Sequence, residues 1–165
     1  MSVTPLFTGA PLTANGLPGQ VYTLTDSKAV LGQRCFGFDT TGNVAEYIFL
    51  AGVTSTIVGS VVTYDEAGLT TLIAANAVGP VAIATAIVDA ATKGGWYGIA
   101  GTFLTDVVAN CADNAKLGRE TTDGKVGDGA ASGDIITGAV SRAATTAAAV
   151  VLCQILYPSV NDSSA

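Results

Sequence analysis

The chain is divided into short apolar runs by closely spaced turn residues. Between residues 95 and 140, three runs rich in β-branched and aromatic residues are separated by glycine, aspartate and asparagine. Runs of roughly four to eight such residues, bounded by turn formers, are typical of antiparallel strands. This region therefore predicts a β-meander, and the same pattern elsewhere predicts an all-β protein.

Two hairpins are predicted in the first half of the chain. Residues 34–39 and 44–52 are strand-like and are separated by a Thr-Thr-Gly-Asn turn. Residues 61–64 and 69–73 are joined by Asp-Glu-Ala-Gly, in which glycine permits a positive φ. Along residues 34–39 the side chains alternate, which indicates a half-buried strand. A further strand is predicted at 21–25.

The second half of the chain is less regular. Residues 80–92 fit either a strand or a short helix, and a strand through Ala86 followed by a helical turn or loop is favoured. Gly94 and Gly95 are predicted to break this segment before one or two strands at 96–109. The glycine-rich residues 120–134 predict a short strand or loop pair, and two more strands complete the sheet before residue 161.

A single β-rich domain is predicted for residues 21–160, because about 165 residues suit one core. Residues 1–20 contain three prolines, which predicts an extended N-terminal arm, and residues 161–165 predict a flexible tail. Two interpretations of the arm stay open: docking on a neighbouring subunit, or a disordered terminus. The docking interpretation rests on its apolar residues and an intervening proline, namely Val3, Pro5, Leu6, Phe7 and Leu12.

Charged residues make up only 12% of the chain and hydrophobic residues 49%, against about 25% charged in typical soluble proteins. Such a chain either enters a membrane or buries surface against partners. The uncharged stretches 67–88 and 143–161 contain polar residues and proline, so they predict soluble strands rather than membrane spans. The N-terminus lacks the features of a secretory signal, which predicts synthesis in a cytoplasm.

Composition also excludes several classes of chemistry. The chain has no histidine, which removes histidine-based catalysis and histidine-rich metal sites. Its net charge is −6 and its seven basic residues are scattered, so direct nucleic-acid binding is not expected. Cys35, Cys111 and Cys153 predict reduced, buried thiols rather than disulfides.

The remaining candidates for chemistry are loops and turns. The segment 124–134 is rich in glycine but lacks the sequence of a phosphate-binding loop. Asp123, Asp128 and Asp134 do not have the spacing of a known calcium motif. We therefore predict no enzyme activity, no metal and no cofactor.

Trp96 and Tyr97 form the one compact aromatic pair of the sequence. Packing within a strand explains this pair. The alternative interpretation is an anchor at an interface, because tryptophan and tyrosine are common interface hot spots.

Three motifs resemble those of the small capsid decoration, or cement, proteins of tailed bacteriophages. They are GPVAIA at 79–84, WYGIAG at 96–101 and GDIITGA at 133–139. The resemblance extends over about residues 44–160. It implies a β-barrel or β-tulip-like domain, a homotrimer, and a place on the outer capsid surface, where it stabilises contacts between major capsid protein subunits.

Three functional hypotheses follow. The first is a non-enzymatic virion structural protein that binds the major capsid protein, without a nucleic-acid or membrane partner. The second is a stand-alone β-barrel module that binds a ligand or carbohydrate, including a receptor-binding virion component. The low aromatic content, 7%, favours the first. An enzyme on a β-barrel scaffold is the third and least favoured.

Overall fold

The computed structural model describes residues 16–27, 29–128 and 134–161. These residues form eleven strands in one sheet and no helix, which confirms the all-β prediction. The strands are β1 (Val21–Thr23), β2 (Arg34–Phe38), β3 (Val44–Ala51), β4 (Val61–Tyr64), β5 (Thr70–Leu72), β6 (Gly79–Ala84), β7 (Lys93–Val107), β8 (Lys116–Arg119), β9 (Val126–Gly127), β10 (Ile135–Ser141) and β11 (Ala149–Val160).

Both predicted hairpins are present, and local turn chemistry explains them. In the turn between β2 and β3, the Asp39 carboxylate accepts hydrogen bonds from the Thr41 and Asn43 backbone N–H groups, at 2.8 and 3.0 Å. Between β4 and β5, the Asp65 carboxylate accepts from the Ala67 and Leu69 N–H groups, at 3.0 and 2.9 Å. Aspartate at the start of a turn satisfies backbone donors that the turn leaves without strand partners.

The 15-residue strand β7 is the centre of the sheet. Between Gly94 and Ala100 it pairs with β3, and it also pairs with β1, β6, β9 and β11, so that several of its residues have a partner strand on each side. The pairings β7–β9, β9–β8, β8–β10, β10–β11 and β11–β7 return to the starting strand, so five strands form a closed ring.

Two predictions about this region are wrong. Gly94 and Gly95 lie inside β7 instead of forming a break before it, because the absence of a side chain lets neighbours pack against the strand. A Cβ atom at Gly94 would lie 2.7 Å from the Phe49 ring, and one at Gly95 2.7 Å from Val88. The meander is also wrong: β9 lies between β7 and β8, and it runs parallel to β7 where Val107 pairs with Val126.

Two hydrophobic clusters lie on opposite faces of the sheet. Consecutive residues of a strand point to opposite faces, so β3 and the first half of β7 contribute to both. The main core includes Tyr47, Phe49, Trp96, Phe103, Cys153 and Ile155. The second core consists of Ile48, Leu50, Val62, Ala82, Ala84, Ala86, Val88, Tyr97 and Ile99.

The interface role suggested for Trp96 and Tyr97 requires correction. Both side chains are fully buried, Trp96 in the main core and Tyr97 in the second. The Trp96 ring meets the Phe49 ring edge to face, with centroids 5.3 Å apart. Packing within the strand therefore accounts for the pair, and neither side chain reaches a surface at which it could contact a partner.

The three cysteines are free and buried, which confirms that prediction. The contact residues predicted in the arm, Val3, Pro5, Leu6, Phe7 and Leu12, lie outside the described residues, as does all of the predicted tail except Asn161. In the part of the chain that the structure describes, no helix has the length and apolar character needed to cross a membrane.

Candidate binding surfaces

Between Ala100 and Leu104, β7 is covered by the main core on one face, and its other face is partly exposed. Its partner β11 pairs in register, with Leu104 opposite Leu152, and Ala100 opposite Leu156. Residues that oppose each other across antiparallel strands lie on the same face. The same face continues across the neighbouring strands, where Ala100 pairs with Glu46 of β3 and Glu46 pairs with Phe36 of β2.

This side of β2, β3, β7 and β11, which we call the outer face, is largely apolar, although the Thr102–Gln154 pair interrupts it and the buried Glu46 lies within it. An antiparallel sheet with one solvated face normally carries polar side chains there. Here the exposed positions are mostly large hydrophobic residues: Phe36, Val44, Leu104, Val150, Leu156 and Tyr157. Since contiguous apolar patches on soluble proteins mark interaction sites, the outer face is a candidate protein interface.

A cleft of about 420 Å³ opens where the second core ends. Buried Ile99 and Val81 contribute apolar surface to it. Arg34 from β2, Tyr64 from β4 and Tyr157 from β11 line it as well. Its lining is completed by Gly79 and Pro80 at the start of β6, and by Pro158, Ser159 and Asn161 at the end of β11.

The buried Glu46 carboxylate holds two of the side chains at the cleft. Its Oε1 lies 3.2 Å from Arg34 Nη1, and its Oε2 accepts a hydrogen bond from the Tyr157 hydroxyl at 2.5 Å. The Glu46 side chain is 8% exposed, whereas that of Arg34 is 54% exposed. The buried Glu46 therefore holds the Arg34 and Tyr157 side chains in place, and the guanidinium group of Arg34 remains accessible from the cleft.

Both tyrosines retain their protons at neutral pH. The hydrogen bond to Glu46 raises the pKa of Tyr157, and burial adds to that effect. Burial raises the pKa of Tyr64, although the nearby Arg34 opposes the shift. Each phenol is therefore a hydrogen-bond donor under physiological conditions.

Tyr157 has a backbone conformation that is rare for a bulky residue. Its φ is +44°, in the left-handed region where the Cβ atom is crowded. The alternation of side chains along β11 is interrupted there, so that Leu156 and Tyr157 are both exposed. Such conformations cost about 1–3 kcal/mol and are concentrated at functional sites.

The cysteines do not have the properties of nucleophiles. Burial raises the pKa of Cys35 to about 12, with a further contribution from the negative charge of Glu46. Burial raises the pKa of Cys153 to about 11 and also raises that of Cys111. Because the thiolate is the reactive form, all three are in the unreactive state at neutral pH.

The structure does not bring the loop aspartates together. The Asp128 carboxylate accepts a hydrogen bond from the Ala112 N–H at 2.6 Å, and Asp134 pairs with Arg119 at 2.5 Å. Among residues 16–27, 29–128 and 134–161, no group of three acidic or cysteine side chains could hold a metal ion.

Sequence reasoning missed the cleft residues Arg34, Tyr64 and Tyr157, and the buried Glu46 that contacts two of them, as a group. The alternation in β2 gave one usable signal, since it placed Arg34 and Phe36 together on the face opposite Cys35. Comparison of the chain with family models, with curated proteins and with solved structures found no match. The likeness to decoration proteins therefore rests on the sequence motifs alone.

Proposed function

We propose that the protein is a non-enzymatic structural component of a virion. In this proposal it is made in the host cytoplasm and binds the outer surface of a phage capsid, where it stabilises contacts between major capsid protein subunits. The observation that carries the proposal is the apolar outer face, considered together with the motif resemblance.

The chemistry of the outer face suits a large, flat protein partner. Most of its exposed side chains are aliphatic or aromatic, and the sheet beneath them is held by eight consecutive β7–β11 residue pairs from Ala149↔Val107 to Leu156↔Ala100. Such a rigid surface loses little backbone entropy on binding. Each Å² of apolar surface removed from water contributes about 25 cal/mol.

The net charge of −6 also fits an exterior location, since a negative protein is repelled by packaged nucleic acid. The closed ring of five strands supports the finer proposal of a β-barrel or β-tulip-like domain. The resemblance also leads us to propose a homotrimer. Each subunit would then contact other copies of this chain and the major capsid protein.

Co-sedimentation with expanded, undecorated capsids from a panel of tailed phages tests the proposal, with light scattering to measure the mass in solution. Saturable binding by a trimer is expected. A monomer that remains in the supernatant with every capsid would overturn the proposal and favour the ligand-binding module.

Matched variants test the role of the outer face. Leu104→Ser combined with Val150→Ser removes apolar side chains that are 40% and 42% exposed on that face. Ile87→Ser combined with Val30→Ser does the same at loop positions that are 54% and 71% exposed. Capsid binding should weaken at least about tenfold, or 1.4 kcal/mol, in the first variant only. Equal binding by both variants would assign the contact to another surface.

A further inference from the structure

We propose that the cleft between Arg34, Tyr64 and Tyr157 binds a neutral pyranose sugar, either free or as the terminal residue of a glycan. This inference does not depend on the capsid-binding proposal, because the cleft and the variants that test it are separate from Leu104 and Val150.

The dimensions of the cleft suit a small organic ligand. A volume of about 420 Å³ falls within the range of roughly 300–1,000 Å³ that is typical of small-molecule sites. The second core ends at Ile99, so the cleft combines a buried apolar wall with an opening to solvent. Clefts at the open end of a curved sheet are common ligand sites.

Two phenol rings line the cleft. Tyr157 is 54% exposed and Tyr64 is partly buried against the second core. The face of a phenol ring is apolar and its hydroxyl group is polar. A pyranose has the matching character, with C–H groups on its ring faces and hydroxyl groups around its edge.

The polar groups favour a neutral ligand. Arg34 is the one charged side chain that lines the described cleft, and the buried Glu46 beside it forms with it a pair of no net charge. Arg34 is hydrogen-bonded to Glu46 through Nη1, while its half-exposed side chain leaves guanidinium donors accessible from the cleft. Asn161 adds an amide with both a donor and an acceptor.

This mixture fits sugar hydroxyl groups, because each of them both donates and accepts a hydrogen bond. A carboxylate ligand would instead be placed near the Glu46 charge, which is already shared between Arg34 and Tyr157. The chemistry therefore selects a polyol over an anion.

The site is organised before the ligand arrives. Glu46 fixes Arg34 and Tyr157 from opposite oxygens, and the left-handed backbone of Tyr157 directs its ring toward Glu46 instead of continuing the alternation of β11. Ordering side chains on binding costs about 0.5–1.5 kcal/mol each, so anchored side chains reduce that cost.

Titration of the full-length, ¹⁵N-labelled protein with methyl glucoside, methyl galactoside and methyl mannoside tests the proposal. At least one glycoside at millimolar concentration should shift the amide signals of residues 34, 64, 157, 159 and 161. Acetate should not shift them. The absence of any shift with all three glycosides, or an equal response to acetate, would overturn the inference.

Two variants separate recognition from folding. Arg34→Gln should weaken glycoside binding by about tenfold, whereas Arg142→Gln, outside the cleft, should leave it unchanged. Tyr157→Phe keeps the ring and removes the hydroxyl group, so it should retain the fold and lose about threefold in affinity. Unchanged binding by a folded Arg34→Gln or Tyr157→Phe variant would contradict the assignment.

Discussion

The two halves of β7 have different environments although they form one continuous strand. From Lys93 to Ile99, both faces are covered: Trp96 lies in the main core, and Tyr97 and Ile99 lie in the second. From Ala100 onward, Phe103 is still directed into the main core, whereas Leu104 is exposed.

This comparison shows where binding surfaces arise in such a fold. The second core ends at Ile99, and the cleft and the outer face both begin there. The first half contributes stability on two sides. In the second half, the side that carries Leu104 is exposed and available for a partner as far as Asp106, which is buried and paired with Lys125.

The largest loss of stability should follow removal of a fully buried aromatic ring from the first half of β7. We expect Trp96→Ala to lower the free energy of unfolding by about 3–5 kcal/mol, because it leaves a cavity against Phe49. Urea denaturation measures the loss. A cost below about 1 kcal/mol would show that the first half is not the more tightly packed one.

A smaller loss is expected from overpacking at Gly98. A Cβ atom there would lie 2.5 Å from the Phe103 ring, so Gly98→Ala should lower the free energy of unfolding by about 1–3 kcal/mol. The double variant with Phe103→Leu should recover part of that loss. Equal destabilisation with and without Phe103→Leu would argue against this contact as the cause.

Acid should act selectively on the second half. Burial by itself would raise the pKa of Asp39, but hydrogen bonds from Thr41, Thr102 and Asn43 outweigh it and lower the pKa. The folded state therefore gains stability above the unfolded pKa of about 3.9, and loses it as the pH falls through the folded value.

Hydrogen exchange can locate this effect. Asp39 Oδ2 accepts the Thr102 N–H at 2.8 Å, so protection at Thr102 should fall below about pH 4 before protection at Trp96 falls. In Asp39→Asn, stability should be lower at neutral pH and should change less between pH 5 and pH 3. An identical pH profile in both proteins would contradict the assignment.

The smallest effect on stability is expected on the outer face. Leu104→Ser should change the free energy of unfolding by less than about 0.5 kcal/mol, because the side chain is already 40% exposed. Phe103→Ser, one residue earlier on the buried face, is the matched comparison. A loss as large as that of Phe103→Ser would mean that the outer face is part of the core.

Local chemistry explains which parts of the fold were predictable. The turns at Asp39 and Asp65 are specified by residues within a few positions of each other, so both hairpins followed from sequence. The pairing of β7 with β11 joins segments far apart in sequence, such as Val107 with Ala149, and no local pattern specifies it. Glycine at 94 and 95 predicted a break because its packing partners, including Phe49, are also distant.

The same limit explains the site. Trp96 and Tyr97 attracted attention because they are adjacent, but adjacent strand residues point to opposite faces, and sequence did not reveal that both faces are covered there. Arg34, Tyr64 and Tyr157 come from three separate strands. Only the pairing of strands distant in sequence brings them to one cleft, so their combined chemistry was not visible in the chain.

The closed ring of strands has a consequence for how the protein folds. The contact that closes the ring is the pairing of β7 with β11. It joins residues far apart in sequence: Val107 and Ala149 are the nearest pair along the chain, and Ala100 and Leu156 are the most distant. Loop entropy must be lost before such distant contacts form, so sheets of this kind fold on the scale of milliseconds to seconds. We therefore expect the hairpins to form early and ring closure to limit the folding rate, which would leave the outer face without its β11 half until the last step.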